Sequence, residues 1–351
     1  MSAVIDLTGF QFTSEELTGI RQLTYEAVVT SPDIALILSI TTGITHKKDV
    51  GFVGEGGLVG KAGQGCDPVA QAWNIATRKI QWEPEPWEIY LKQCYKDLEA
   101  SIAIYSLDNL KDRADFTSTD YMAIVIDMLA ISIKKMIYRI VWFNDKAAKT
   151  ITNGGTLTDG TDIEYFTILN GLFKQIAIIY TANAGQKVAI TENAGASYAL
   201  QALDPANIKG YLTSLVFKAN MKLRQMTGNF IICTQSVYDA YVQSLQGLNI
   251  ESMYINLVEG VKVITFNGIP LIPIPYWDEV IATYYNNGTK LANPHRAIYT
   301  NKEVLGVSLD DEGSFSSTDV WYDKKDRNVY LRSEGLIDAK IKNDDLIQIA
   351  I

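Results

Sequence analysis

Histidine and cysteine are scarce in this sequence, and basic charge is outweighed. Of 351 residues, two are histidine (His46, His295) and three are cysteine (Cys66, Cys94, Cys233). The cysteine count is odd and no CxxC pair occurs, so neither a disulfide framework nor a zinc ribbon fits. Folding in a reducing cytosol is the simplest reading. A histidine-rich metal site is excluded, and a Ser-His-Asp triad would have to use one of two histidines. Cys66 stands beside Asp67, the wrong sign of neighbour for a reactive thiolate. No uncharged run approaches the ~18 residues of a membrane span. The most apolar stretch, 121–143, is interrupted by Asp127, Lys134, Lys135 and Arg139. The opening residues, Met1 to Asp6, lack the basic and apolar regions of a secretory signal. Lys and Arg total 31 against 40 Asp and Glu, a net charge of −9. Proteins whose main task is gripping phosphates are usually basic.

What is present is globular composition. Hydrophobic residues make up 47% and charged residues 20%. A chain of this length buries about 75% of its unfolded surface. Division by roughly 150 residues per domain suggests about two domains.

Local patterns divide the chain. Thr13 and Glu16 have capping-box spacing ahead of an apolar stripe, Leu17, Ile20, Leu23, Ala27 and Val28, which predicts a helix over 13–29. Residues 46–68 differ from the rest: seven of the 25 glycines fall between Gly51 and Gly65. Ordering glycine is entropically costly, so this loop is expected to be mobile unless a partner holds it. Extended sequence follows at 73–82. Pro84 and Pro86 then forbid helix and predict an exposed, stiff elbow flanked by Trp82 and Trp87. A strand or helix pattern resumes over 87–104.

Residues 118–144 carry the strongest helical pattern. They contain neither Gly nor Pro and would span roughly 39 Å. Its apolar face is wide, from Met122 and Ile126 to Ile140 and Val141, and Lys134, Lys135 and Arg139 form a solvated or intersubunit face. Helical pattern returns at 162–180. Another helix is expected over 204–226, opened by Asp204-Pro205 and closed near Gly228. Phe230–Thr234 reads as a buried strand, and Ser236 as the cap of a helix to Gln246. Asn267-Gly268 between Val261–Phe266 and Ile269–Ile274 predicts a hairpin. Pro270, Pro273 and Pro275 put its return strand at a sheet edge. Further strands are expected at 296–300, 320–323 and 328–333.

Motifs for chemistry fail on inspection. Gly60-Lys61 cannot end a P-loop, because position 55 is Glu and position 62 is Ala. Gly54-Glu55-Gly56 lacks the third small residue of a dinucleotide fingerprint, since position 59 is Val. His46 and His295 read as loop histidines. Asp310-Asp311-Glu312 reads as a surface turn without calcium-loop spacing. Paired carboxylates are common in so acidic a chain; Glu83 and Glu85, two apart around Pro84, point the same way on an extended chain and read as a solvated pair or a glycosidase pair. Catalytic, metal and cofactor residues are therefore expected to be absent.

The order of these parts resembles one family. An N-terminal arm leads into a Gly-rich, Lys-containing loop (His46 to about Lys92). The loop returns through Trp82-Glu83-Pro84 to one very long helix, Thr119–Asn144. A mixed domain follows, and strands close the chain: Tyr299-Thr300 to Leu305-Gly306-Val307, then Asp319–Asp323 and Asn328–Arg332. This resembles the major capsid protein of tailed double-stranded DNA phages. The resemblance implies an α+β phage major-capsid fold with a long spine helix, an extended E-loop hairpin, a mixed α/β A-domain and C-terminal antiparallel P-domain strands. It implies an N-terminal arm over 1–45, an E-loop over 46–92, a first P-domain part over 93–171, an A-domain over 172–299 and a second P-domain part over 300–351.

Its function would be structural. Hexamers and pentamers of this chain would form an icosahedral head enclosing packaged double-stranded DNA, assembled in the bacterial cytoplasm without a membrane. Portal and scaffolding or decoration proteins would be further partners. Little sequence precedes the E-loop, so scaffolding is expected to be a separate protein or absent. Phe52, Leu58, Lys61, Trp82, Trp87, Lys134 and Arg139 are the expected intersubunit contacts, and Lys61 is also placed to join a Lys–Asn cross-link of the kind some members form. Two other readings remain: an encapsulin-type nanocompartment shell, and a carboxylate-dependent α/β hydrolase using Glu83 and Glu85.

Overall fold

Asn267 and Gly268 tolerate positive φ better than other residues, and the chain uses them so. They adopt φ of 51° and 79°, the two left-handed residues of a tight hairpin turn. They join β8 (Val261–Phe266) to β9 (Ile269–Pro273). The computed structural model describes residues 36–53, 77–94, 132–246, 254–258, 261–310, 319–323, 325 and 328–351. The helix expected over 13–29, most of the Gly-rich loop and residues 118–131 of the long helix lie outside them.

Two large sheets organise the described residues. One holds β1 (Ser39–Thr41), β11 (Leu305–Leu309), β13 (Asn328–Ile341) and β12 (Asp319–Asp323) in that order, with β4 (Glu85–Cys94) along β13. The other is seven-stranded. Its order is β5 (Lys187–Val188), β14 (Gln348–Ala350), β10 (Ala297–Asn301), β6 (Asn229–Cys233), β9, β8 and β7 (Tyr254–Val258). A third, two-stranded ribbon pairs β2 (Lys48–Val53) with β3 (Thr77–Trp82).

The seven-stranded sheet is covered on both faces, which is why its central strands read as unbroken apolar runs. Successive side chains go to opposite sides. Phe230, Ile232, Ile298 and Ile349 join one core, whereas Ile231, Cys233, Tyr299 and Ala350 join the other. On the second face lie α3 (Pro205–Phe217) and α5 (Gln235–Ser244). On the first lie α1 (132–143), α2 (Leu172–Ala182) and α6 (Pro275–Tyr284). Ile133, Ile137, Ile140 and Val141 of α1 recur at helical spacing and are buried. Val307, Leu309, Ile337 and Ala339 of the other large sheet share that core, so α1 contributes to one core with both sheets. Trp142 and Trp277 meet edge to face at 4.7 Å at its centre.

Several local expectations needed correcting. The return strand β9 is not at an edge, because it pairs with β6 in parallel through Ile231↔Leu271 and Cys233↔Pro273. The Ile274 N–H donates to the Cys233 carbonyl at 2.9 Å. By alternation, the N–H that Pro273 lacks would face β8, beyond the two residue pairs where β8 meets β9. Interior prolines are thereby tolerated. The helix expected over 204–226 opens as expected, with Asp204 accepting from the Ala206 N–H at 2.9 Å. It breaks after Phe217, where Asn220 caps a separate α4 (Met221–Gln225). The helical pattern at 162–180 splits into a 3-10 turn, Ile163–Phe166, and α2. Helix α5 begins after Thr234, and Ser236 is not its cap. Its first N–H is instead accepted by Asp278 of α6 at 2.7 Å, a carboxylate suited to a helix N-terminus.

Two residues expected on the surface are buried. His295 is in a network: its Nδ1 meets Ser236 Oγ at 2.8 Å and its Nε2 the Gln201 carbonyl. Burial lowers its pKa below the usual 6.5. Asp310 accepts the Leu336 N–H at 2.7 Å and holds the end of β11 to β13. Both sit beside turn-forming residues, and the burial comes from contacts distant in sequence.

Candidate assembly interface

Trp82 and Trp87 were expected to project as intersubunit anchors, and the structure overturns that. They are 2% and 4% exposed. Each indole covers a glycine of its own subunit: Trp82 lies over Gly306 of β11, and Trp87 over Gly335 of β13. Neither ring is on the surface for a neighbour to reach. A proline-flanked tryptophan reads the same in sequence whether it projects or folds back. The discriminating signal, a glycine across the sheet, lies more than two hundred positions away.

The other five expected contacts are dispersed. Phe52 is in β2, opposite Arg78. Leu58 and Lys61 lie outside the described residues. Lys134 and Arg139 are on α1, both half-buried. Arg139 faces a cavity of about 420 Å³ lined by Asp159, Asp162, Tyr165, Phe166 and Tyr284 among others. Its guanidinium carbon lies 5.2 Å from the Tyr165 ring centre and 5.6 Å from that of Phe166. Lys135, one turn earlier, pairs within the subunit with Glu279 at 2.7 Å.

At the foot of the β2–β3 ribbon is a cluster of charge. The Glu83 N–H donates to Asp338 Oδ2 at 2.8 Å, and Lys47 pairs with the Glu83 carboxylate at 2.8 Å. Lys146 pairs with Glu85. Asp338 is buried, and desolvation pushes its pKa up to about 6, against the pull of its backbone bonds and Lys340. The hydrogen bond from Lys47 holds Glu83 below the usual carboxylate range. A general acid needs the opposite shift, and each glutamate is engaged by a different lysine. This arrangement lends a hydrolase no support.

An exposed aromatic stack was missed in the sequence. Tyr90, Tyr330 and Trp321 lie side by side across β4, β13 and β12, with ring centres 5.9 and 5.5 Å apart. Tyr90 is 59% exposed and Trp321 39%. Lys92 lies 5.8 Å over Tyr330, and Arg332 pairs with Glu88 at 3.1 Å on the same face. Period-two spacing of Tyr330 and Arg332 was the available signal. A second exposed apolar pair, Phe217 and Met221, marks the α3–α4 break. Among the described residues, no group of three or more His, Cys, Asp or Glu could hold a metal ion. No helix among them is long and apolar enough to cross a membrane. Cys233 is fully buried, and burial pushes its thiol well up, which makes it inert.

No protein-family model matches the chain, and no curated protein matches it. Solved structures do. A chain of the satellite phage P4 procapsid that includes the size determination (Sid) protein matches with a TM-score of 0.55 and 11% identity, over 97% of this chain and 90% of that one. The fold is the phage major-capsid fold. The capsid of an empty GTA particle also matches, at TM-score 0.49 and 11% identity over 91% of this chain and 88% of that one. A chain of an encapsulin complex from Synechococcus elongatus matches at TM-score 0.46 and 11% identity, over 92% and 87%. The fold assignment rests on the P4 match. Along the described residues the order is ribbon, proline elbow, helix α1, covered sheet and closing strands.

Proposed function

We propose that this chain is a structural shell protein. Copies of it assemble as hexamers and pentamers into an icosahedral phage head that encloses double-stranded DNA. The observation that carries the reading is the match to a P4 procapsid chain over 97% of this chain. Supporting it are an acidic net charge of −9, suited to surrounding DNA without gripping it, and a Gly-rich loop that calls for an outside partner. Many modest interfaces repeated by symmetry suffice to close a shell. We place the E-loop at 46–92, assembly in the host bacterial cytoplasm, and portal and scaffolding or decoration proteins among the partners.

Negative-stain microscopy of the purified protein tests this. Closed shells of uniform size are the expected result, and small featureless particles overturn it. Shells recovered with enzyme cargo and no DNA would replace the phage head by a nanocompartment. A monomer whose hydrolytic activity disappears in Glu83→Gln would replace both.

A further inference from the structure

Arg139 of α1 carries a charge that no described residue pairs. Its Nε is buried, and among the described residues its guanidinium makes neither a hydrogen bond nor an ion pair. The rings of Tyr165 and Phe166 offset part of the desolvation cost, because a ring face attracts a cation. The nearby carboxylates are turned to the loop itself. Asp159 accepts the Thr152 N–H at 2.9 Å, and Asp162 accepts the Glu164 N–H at 3.2 Å. Burial lowers the Arg139 pKa, and the groups that oppose this are tyrosines, not acids. A desolvated cation without a counter-ion is costly, and the partner that fits a guanidinium fork is a carboxylate.

We propose that this cavity receives an acidic side chain, Asp or Glu, from a second copy of this chain. The carboxylate forks onto Arg139 beside the faces of Tyr165 and Phe166. Charge complementarity selects this occupant: among the described residues Arg139 is the one cation lining the cavity, its Nε has no partner, and a carboxylate is the group that fits its fork. A volume of about 420 Å³ admits one side chain with its flanking backbone. Tyr165 is 56% exposed, so the approach is open to solvent in the single subunit. The inference rests on the shell reading above.

Arginine-selective modification with phenylglyoxal, read by mass spectrometry at Arg139, tests it in dissociated subunits and in shells. Modification in shells is expected to be at least about tenfold slower. Equal rates would overturn the inference and leave the shell function standing. Failure of the chain to form any shell would remove both. Acetate or inorganic phosphate added to dissociated subunits distinguishes the source. If either protects Arg139 as fully as assembly does, the site is a small-anion site and the second-copy assignment is wrong. A second measurement uses Arg139→Gln. Its subunit is expected to melt no lower than the parent, since an uncompensated charge is removed. Its assembly should require about tenfold more subunit, a difference of about 1.4 kcal/mol per contact. Assembly at the parental concentration would overturn the proposal.

Discussion

A Cβ atom on Gly335 would stand 2.8 Å from Cζ2 of Trp87. The two residues are direct partners in the β4–β13 register, so the indole occupies the space that glycine leaves. Gly335→Ala must displace the ring, at an expected cost of about 1–3 kcal/mol. Trp87→Ala empties the same space and should cost about 3–5 kcal/mol. Because the two share one contact, the double variant should lose less than both effects combined. Denaturant unfolding of the subunit measures all three. Additive losses, or a neutral Gly335→Ala, would show that the ring does not pack there.

Arg296 is the second place where packing depends on one side chain. Its guanidinium carbon lies 4.4 Å from the Phe173 ring centre and 5.4 Å from that of Phe143. Its Nε donates to the Asn293 carbonyl at 2.9 Å and its Nη2 to Ala292 at 3.2 Å. Lysine keeps the charge but loses the planar stack and the second donor. Arg296→Lys should therefore cost about 2 kcal/mol or more. Urea midpoints decide it, and a parental midpoint in Arg296→Lys would contradict the stacking role.

Two buried groups should tilt stability with pH in opposite directions. Asp338 has its pKa raised from 3.8 to about 6, so between those values the native state binds more protons than the unfolded chain. Its contribution to stability falls as pH rises through that window, and the penalty, on the order of 2–3 kcal/mol, is complete above about pH 6. His295 has its pKa lowered from 6.5. The unfolded chain then binds more protons, and this contribution is lost as pH falls below about 6.5. Stability measured from pH 4 to 7 should lose its downward component in Asp338→Asn and its acid-side decline in His295→Gln. A curve for Asp338→Asn that runs parallel to the parent would show that the carboxyl does not titrate there.

Most secondary structure was legible where local chemistry decides it. Asn267-Gly268 marks a turn because few residue pairs accept two positive φ angles, and Asp204-Pro205 marks a helix start through its cap. The failures share one cause. Whether Trp87 folds inward depends on Gly335, whether His295 is buried depends on Ser236 and Gln201, and whether β9 is an edge depends on β6. Each partner is distant in sequence, and no periodicity encodes it. Arg139 could be singled out from its place on an apolar helix. The cavity around it could not, because loop residues from 159 to 166 and Tyr284 of α6 supply its walls.

The parallel pairing of β1 with β11 joins Ser39 to Gly306. Residues 39–41 cannot find their sheet neighbours until nearly the whole chain has left the ribosome. The early strand must wait in an incomplete state, and pairing so distant in sequence is slow to form. The seven-stranded sheet waits longer still, because its β14 is made of residues 348–350. A half-made chain therefore lacks strands of both large sheets, and neither core can close until the C-terminal strands are made.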